Sequence, residues 1–138
     1  SKNKYLSSDC MMVAKKYNID FKFNDKFPIN SLDIMRGLLA IDKKKIKDYI
    51  NSFFEAYWSM NIDLSKKNEI IKILKKLEID TDNFFLKIKD NKIKEVLKKL
   101  THEAFQKDIF GAPTFIVNNK IFWGQDRLEY AVDEFEKD

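Results

Sequence analysis

The sequence predicts a mostly α-helical fold that closes in a β-hairpin and one last helix. Three observations carry this reading. Apolar residues recur at offsets of three and four from Leu6 to Phe105. The period then breaks at Gly111 and Pro113. Beyond them, two β-branched and aromatic runs, Thr114 to Val117 and Lys120 to Trp123, flank Asn118-Asn119, a two-residue loop suited to a type I′ hairpin.

The elements follow in order. Leu6, Cys10, Val13 and Tyr17 mark a short amphipathic helix over 5–17. The pattern lapses from Asn18 to Pro28, where Phe21-Lys22-Phe23 suits a brief extended piece. Asn30 is a good N-cap for a helix over 31–41 that turns Leu32, Met35, Leu38 and Leu39 inward. Asp42 caps the next helix. Over 43–60 it carries the longest apolar stripe: Ile46, Tyr49, Ile50, Phe53, Phe54, Tyr57 and Trp58. Ser65 caps a helix reaching Leu77, and Asp80 precedes a short helix around Phe84 to Ile88. The helical spacing returns over 91–107 with Ile93, Val96, Leu97, Leu100, Ala104 and Phe105. After the hairpin, Gly124 ends the second strand, and Leu128, Ala131, Val132 and Phe135 mark the closing helix. A two-stranded hairpin is marginal alone. It is either a small appendage to a helical domain or a fragment of a larger sheet.

The chain has 138 residues, enough for one domain with a real core, and 44% are hydrophobic. No apolar run approaches the roughly 18 residues of a membrane span. The net charge is +4, which raises nucleic acid as a partner. Yet all the basic residues except Arg36 and Arg127 are lysines, dispersed along helices. Phosphate recognition favours arginine forks, so solvated helix faces account for the charge better than nucleic acid does. The single cysteine, Cys10, has no partner for a disulfide or a CxxC motif. It reads as a packed thiol in a reducing, cytoplasmic compartment. His102 is the only histidine, which leaves histidine metal sites and Ser–His catalysis little to stand on. Tyr57 and Trp58 fit a core better than a substrate pocket.

Two short features carry chemistry. An X–Pro bond such as Ala112-Pro113 is held cis at a cost of only about 0.5–1 kcal/mol. A cis proline there exposes the N–H and C=O of Ala112 to an extended ligand. Read by itself, a trans proline opening a strand is the commoner outcome. The second feature is Gly124-Gln125-Asp126-Arg127, where a strand enters a helix. Gln125 can donate to a carboxylate and Asp126 can accept from an ammonium. Together with helix N–H groups they suit an amino-acid head group. In isolation, a plain helix cap explains the same residues.

The two features occur together. Phe110-Gly111-Ala112-Pro113-Thr114-Phe115, followed by Phe122-Trp123-Gly124-Gln125-Asp126-Arg127-Leu128, closely resembles the C-terminal signature of the 2-hydroxychromene-2-carboxylate isomerases. These are relatives of the kappa-class glutathione transferases and the DsbA-like proteins. Lys4-Tyr5 with Asp9, Phe27-Pro28-Ile29-Asn30-Ser31-Leu32, Ala56-Tyr57-Trp58 and Thr101-His102-Glu103-Ala104 match in the same order. The likeness covers essentially the whole chain.

The resemblance implies an α/β thioredoxin-like fold with a large helical insertion. Residues 1–28 would be a connecting helix and loop, 29–108 the insertion, and 109–138 the closing ββα unit. It implies glutathione as cofactor and a small-molecule substrate. Ala112, before a cis-Pro113, would pair with the cysteine backbone of glutathione. Gln125 and Asp126 would hold its γ-glutamyl end. Lys2 falls where the family often has a ligand-contacting lysine. The family begins with a β-α-β unit bearing a serine, or a cysteine pair, that activates or replaces the thiol. This sequence is expected to start after that unit, so no catalytic residue is assigned within it. The implied activity is glutathione-dependent cis–trans isomerisation. Kappa-like glutathione transfer and DsbA-like thiol–disulfide exchange are the enzymatic alternatives, and a helical interaction module without turnover is the non-enzymatic one. With part of the sheet missing, Phe115 and Ile121 are expected to be exposed and the chain to self-associate, for example as a homodimer.

Overall fold

A computed structural model describes residues 1–137. It divides into two compact units, Ser1–Lys94 and Glu95–Asp138.

The first unit is helical: α1 (Lys2–Lys16), α2 (Leu32–Ala40), a 3-10 turn at Lys43–Lys45, α3 (Ile46–Trp58), α4 (Lys67–Lys76) and α5 (Thr81–Lys87). The start of α6 (Asn91–Gln106) also belongs to it. The expected long helix over 43–60 is therefore split. Asp42 does cap its start, accepting from the Lys44 N–H at 3.0 Å. Asp80 caps α5 by accepting from the Asn83 N–H at 2.8 Å. Asn30 stands one residue before the N-cap position, which Ser31 takes, yet its Oδ1 does accept from the Leu32 N–H at 3.0 Å, whereas Ser31 makes no side-chain cap bond. Ser65 does not cap α4, whose N-cap position is Lys66.

The core of this unit forms where α3, α4 and α5 meet, around Tyr49, Phe53, Tyr57, Leu74 and Phe84. Burying such side chains stabilises by about 1.5–3 kcal/mol each, before the entropy of ordering them is counted. The inward face of α2 differs from the expected one. Leu32 and Met35 are exposed, whereas Ile34 and Leu38 pack on the core and Gly37 is buried. The reason is steric. A Cβ at Gly37 would run into the Phe84 ring and the Tyr49 hydroxyl, so α2 presents its one side-chain-free position where it lies nearest α3 and α5. The Tyr49 hydroxyl then donates to the Ile34 carbonyl at 2.8 Å.

The loop between α1 and α2 forms no strand at Phe21-Lys22-Phe23. Polar bonds tie it to the end of α3 instead. Asn24 is buried and donates to the carbonyls of Tyr57 and Ile62, each at 2.9 Å. Lys22 N–H donates to the Trp58 carbonyl at 2.7 Å. Those bonds bring Phe21, Phe23 and Phe27 around the Trp58 ring, with centroids 5.6–5.9 Å away. The stripe expected on α1 is only partly inward. Cys10 and Val13 are half-buried, Ala14 is buried, and Leu6 and Tyr17 are exposed.

The second unit holds the rest of α6, then β1 (Thr114–Val117), β2 (Lys120–Trp123), a 3-10 turn at Gln125–Arg127, and α7 (Leu128–Glu136). The strands pair antiparallel, Thr114 with Trp123 and Val117 with Lys120. Asn118 and Asn119 both have positive φ, 50° and 62°, as a type I′ turn requires. α7 packs on the hairpin face that carries Phe115 and Phe122, which are therefore half-buried. This corrects the expectation for Phe115. The opposite face behaves as expected: Ile116, Ile121 and Trp123 are 42%, 41% and 53% exposed.

Glu134 of α7 fastens the turn. Its buried carboxylate accepts from Lys137 at 3.0 Å, Lys120 at 3.1 Å and Asn118 at 3.4 Å. The bonds from Lys137 and then Lys120 outweigh burial and hold its pKa at about 2, below the ordinary 4.5. A depressed folded-state pKa contributes stability that is complete above the unfolded value and lost as pH falls toward the folded one. Wild type is therefore expected to lose its stability advantage over Glu134→Gln as the pH falls from about 4.5 toward about 2. Thermal melts of both proteins across this range check it; an advantage that does not change with pH would contradict it.

Candidate functional site

Four of the five site residues expected from sequence fall at one end of the hairpin. The link is a backbone bond. Gly124 N–H donates to the Pro113 carbonyl at 3.0 Å, extending the ladder one step past the Thr114–Trp123 pair. Ala112-Pro113 and Gln125-Asp126 enter and leave the hairpin beside each other as a result. All four residues are exposed. The Ala112–Pro113 bond is cis, as is Phe27–Pro28. Among the described residues, neither the N–H nor the C=O of Ala112 enters a backbone hydrogen bond.

Glycine is required on the other side of the junction. Gly124 has φ 106° and ψ 151°, and a Cβ there would lie 2.6 Å from Asp126 Oδ1. Thus Asp126 folds back over the one residue that leaves room for it. Its other oxygen, Oδ2, accepts from Arg127 Nη1 at 3.1 Å. The cationic group of Arg127 in turn lies 5.6 Å from the Tyr130 ring centroid. The 3-10 turn replaces the direct strand-to-helix entry expected at Gln125. Gly111 lies against the Trp123 indole, whose ring packs at a tilt of 58° on Phe110 with centroids 5.1 Å apart. Thr114 Oγ1 donates to the Gly111 carbonyl at 2.6 Å and holds the approach to Ala112.

A groove with a volume of about 450 Å³ is lined by Ile121, Phe122, Trp123, Arg127 and Tyr130. Sequence reasoning did not assign Arg127 or Tyr130 to a site. The signal was their spacing: one helical turn puts i and i+3 on one face. Lys2 opens α1 in the first unit and is exposed. His102 is exposed on α6 and Cys10 is half-buried. Among the described residues there is no cluster of three metal-ligating side chains and no helix long and apolar enough to cross a membrane.

Known proteins of similar sequence give the arrangement its context. The family model of the DsbA-like thioredoxin domain matches residues 1–136. The 2-hydroxychromene-2-carboxylate isomerase of Sphingobium xenophagum is 25% identical over 129 residues, 94% of this chain and 66% of that protein. The isomerase of the same name from Pseudomonas putida is 26% identical over 90% of this chain and 61% of its own length. Glutathione S-transferase kappa 2 of Caenorhabditis elegans is 22% identical over 96% of this chain and 65% of its own length. A solved structure of a 2-hydroxychromene-2-carboxylate isomerase superposes with a TM-score of 0.86 at 25% identity, over 99% of this chain and 66% of that one. The chain thus spans 61–66% of the length of these relatives. The helices and terminal ββα unit form a DsbA-like thioredoxin fold, and this chain belongs to the DsbA-like thioredoxin domain family.

Proposed function

We propose that this chain supplies the glutathione-positioning part of an isomerase of the 2-hydroxychromene-2-carboxylate type. The observation that carries the reading is the Gly124–Pro113 bond, which sets Ala112 beside Gln125 and Asp126. The residues present suit the cofactor. Ala112 offers an unpaired N–H and C=O to the cysteine backbone of glutathione. Gln125 suits the γ-glutamyl carboxylate, and Asp126 its ammonium. Arg127 fixes one carboxylate oxygen of Asp126 and leaves Oδ1 over Gly124. When bound, the glutathione thiolate supplies reversible addition to an unsaturated oxo-acid, which permits rotation about the former double bond. This chain's own residues hold and orient the tripeptide. The kappa relative favours glutathione transfer as the second reading, and the same head-group residues would serve it. Residues 29–108 are proposed as the helical insertion, Lys2 as a further ligand contact, and the open hairpin face as a site of self-association.

Calorimetry with reduced glutathione and with cysteinylglycine, which lacks the γ-glutamyl group, tests the assignment. Wild type is expected to prefer glutathione. Gln125→Ala and Asp126→Ala should each weaken glutathione by about tenfold, the scale of one hydrogen bond to a charged group, and leave cysteinylglycine unchanged. Equal affinity for both compounds in wild type would remove the basis for a γ-glutamyl site.

A further inference from the structure

We infer that Tyr130 is a positioning residue for the amino-acid head-group site: its ring holds the Arg127 guanidinium, and Arg127 in turn holds the Asp126 carboxylate in place for the ligand. The inference rests on the γ-glutamyl reading of Gln125 and Asp126, and adds to it a residue beyond the signature that ends at Leu128.

Asp126 and Arg127 are adjacent in sequence, and neighbours at that spacing do not face one another along an α-helix. They meet because the chain passes through a 3-10 turn, in which the Arg127 N–H donates to the Gly124 carbonyl at 3.1 Å. Arg127 Nη1 then reaches Asp126 Oδ2 at 3.1 Å. The pair is open to water: the Arg127 and Asp126 side chains are 53% and 63% exposed. An exposed ion pair is worth little, because solvent screens it and ordering the side chains costs entropy. By itself it would leave the carboxylate free to turn.

Tyr130 supplies the missing restraint. Arg127 is the N-cap of α7, and Tyr130 follows three residues later, which places both on one face of the helix. The guanidinium carbon stands 5.6 Å from the ring centroid, within the range of a cation–π contact. Both residues line the same groove as Ile121 and Trp123. The ring thus removes rotamers of Arg127 that would break its bond to Asp126. With Oδ2 held, Oδ1 stays over Gly124, where it accepts from the ligand ammonium. Tyr130 acts through Arg127 and does not touch the ligand.

Calorimetry on the full chain compares reduced glutathione with cysteinylglycine in wild type, Tyr130→Leu, Tyr130→Phe, Arg127→Ala and the Arg127→Ala/Tyr130→Leu double variant. Tyr130→Leu is expected to weaken glutathione about threefold, the scale of an exposed cation–π contact, and to leave cysteinylglycine unchanged. Tyr130→Phe keeps the ring and should bind both compounds as wild type does. In the Arg127→Ala background, Tyr130→Leu should have no further effect, because the residue it acts through is gone. A wild-type preference for glutathione that Tyr130→Leu leaves intact would overturn the inference alone. So would equal weakening of both compounds, a Tyr130→Phe that behaves like Tyr130→Leu, or a loss that persists without Arg127 and so marks Tyr130 as a direct contact. Equal affinity for the two compounds in wild type, or no binding of either, would instead remove the γ-glutamyl site and the inference with it.

Discussion

Gly37→Ala is expected to destabilise the first unit by about 2 kcal/mol, although alanine is the better helix former by as much as about 1 kcal/mol. The added Cβ would meet the Phe84 ring and the Tyr49 hydroxyl, both buried. Neither can step aside cheaply. Phe84 is 2% exposed, and the Tyr49 hydroxyl is held by its bond to Ile34. Relief requires α2 to move away from α3 and α5. That breaks the Tyr49 bond and loosens Ile34 and Leu38 from the core. Urea denaturation followed by circular dichroism measures the loss. Combining Gly37→Ala with Phe84→Leu should cost less than the sum of the two single changes, because the smaller side chain makes room for the methyl. Strict additivity would mean that the collision is not the cause.

Gly124→Ala is the counterpart in the second unit. At φ 106° and ψ 151° the backbone occupies a region that side chains almost never enter, at a cost of about 1–3 kcal/mol. The new Cβ would also press on Asp126 Oδ1. Either the backbone at 124 changes, which breaks the N–H bond to Pro113, or Asp126 swings away. Both routes dismantle the junction that joins Ala112 to Gln125 and Asp126. Glutathione affinity is expected to fall by more than tenfold, more than for Asp126→Ala alone, with a lower melting temperature. If Gly124→Ala binds glutathione as wild type does, the junction does not hold the ligand.

Much of the local structure was legible beforehand because its causes are local. The hairpin is the clearest case. Asn118-Asn119 accepts two positive φ values, and the flanking runs alternate in the register that loop dictates. Asp42 and Asp80 were readable as caps because a carboxylate close to free N–H groups needs no distant partner. That Ala112, Pro113, Gln125 and Asp126 would lie together was readable for a different reason. They sit within one signature, and the hairpin that joins them is itself local.

The misses share one property: each depends on residues far away in sequence. The inward face of α2 is set by Phe84 and Tyr49, so the apolar spacing of Leu32 and Met35 misled. The expected stripe of α3 was broader than the buried one. Tyr49, Phe53 and Tyr57 are buried, whereas Ile50 and Phe54 are exposed, because the neighbouring helices cover only one side. Phe115 was expected outside and is half-covered, since α7 folds back on one face of the hairpin. Asn24 carried no signal, yet it pins a whole loop through two carbonyls more than thirty residues on.

By itself, then, the sequence determined most of the helices, the hairpin and, through its signature, the family to which the chain belongs. Tertiary structure alone decided which face of α2 is buried, which face of the hairpin α7 covers, and where Asn24 pins the loop before α2. The physical reason is range. Turn dihedrals, caps and helical periodicity are settled among neighbours, whereas burial is settled by whichever distant side chain arrives.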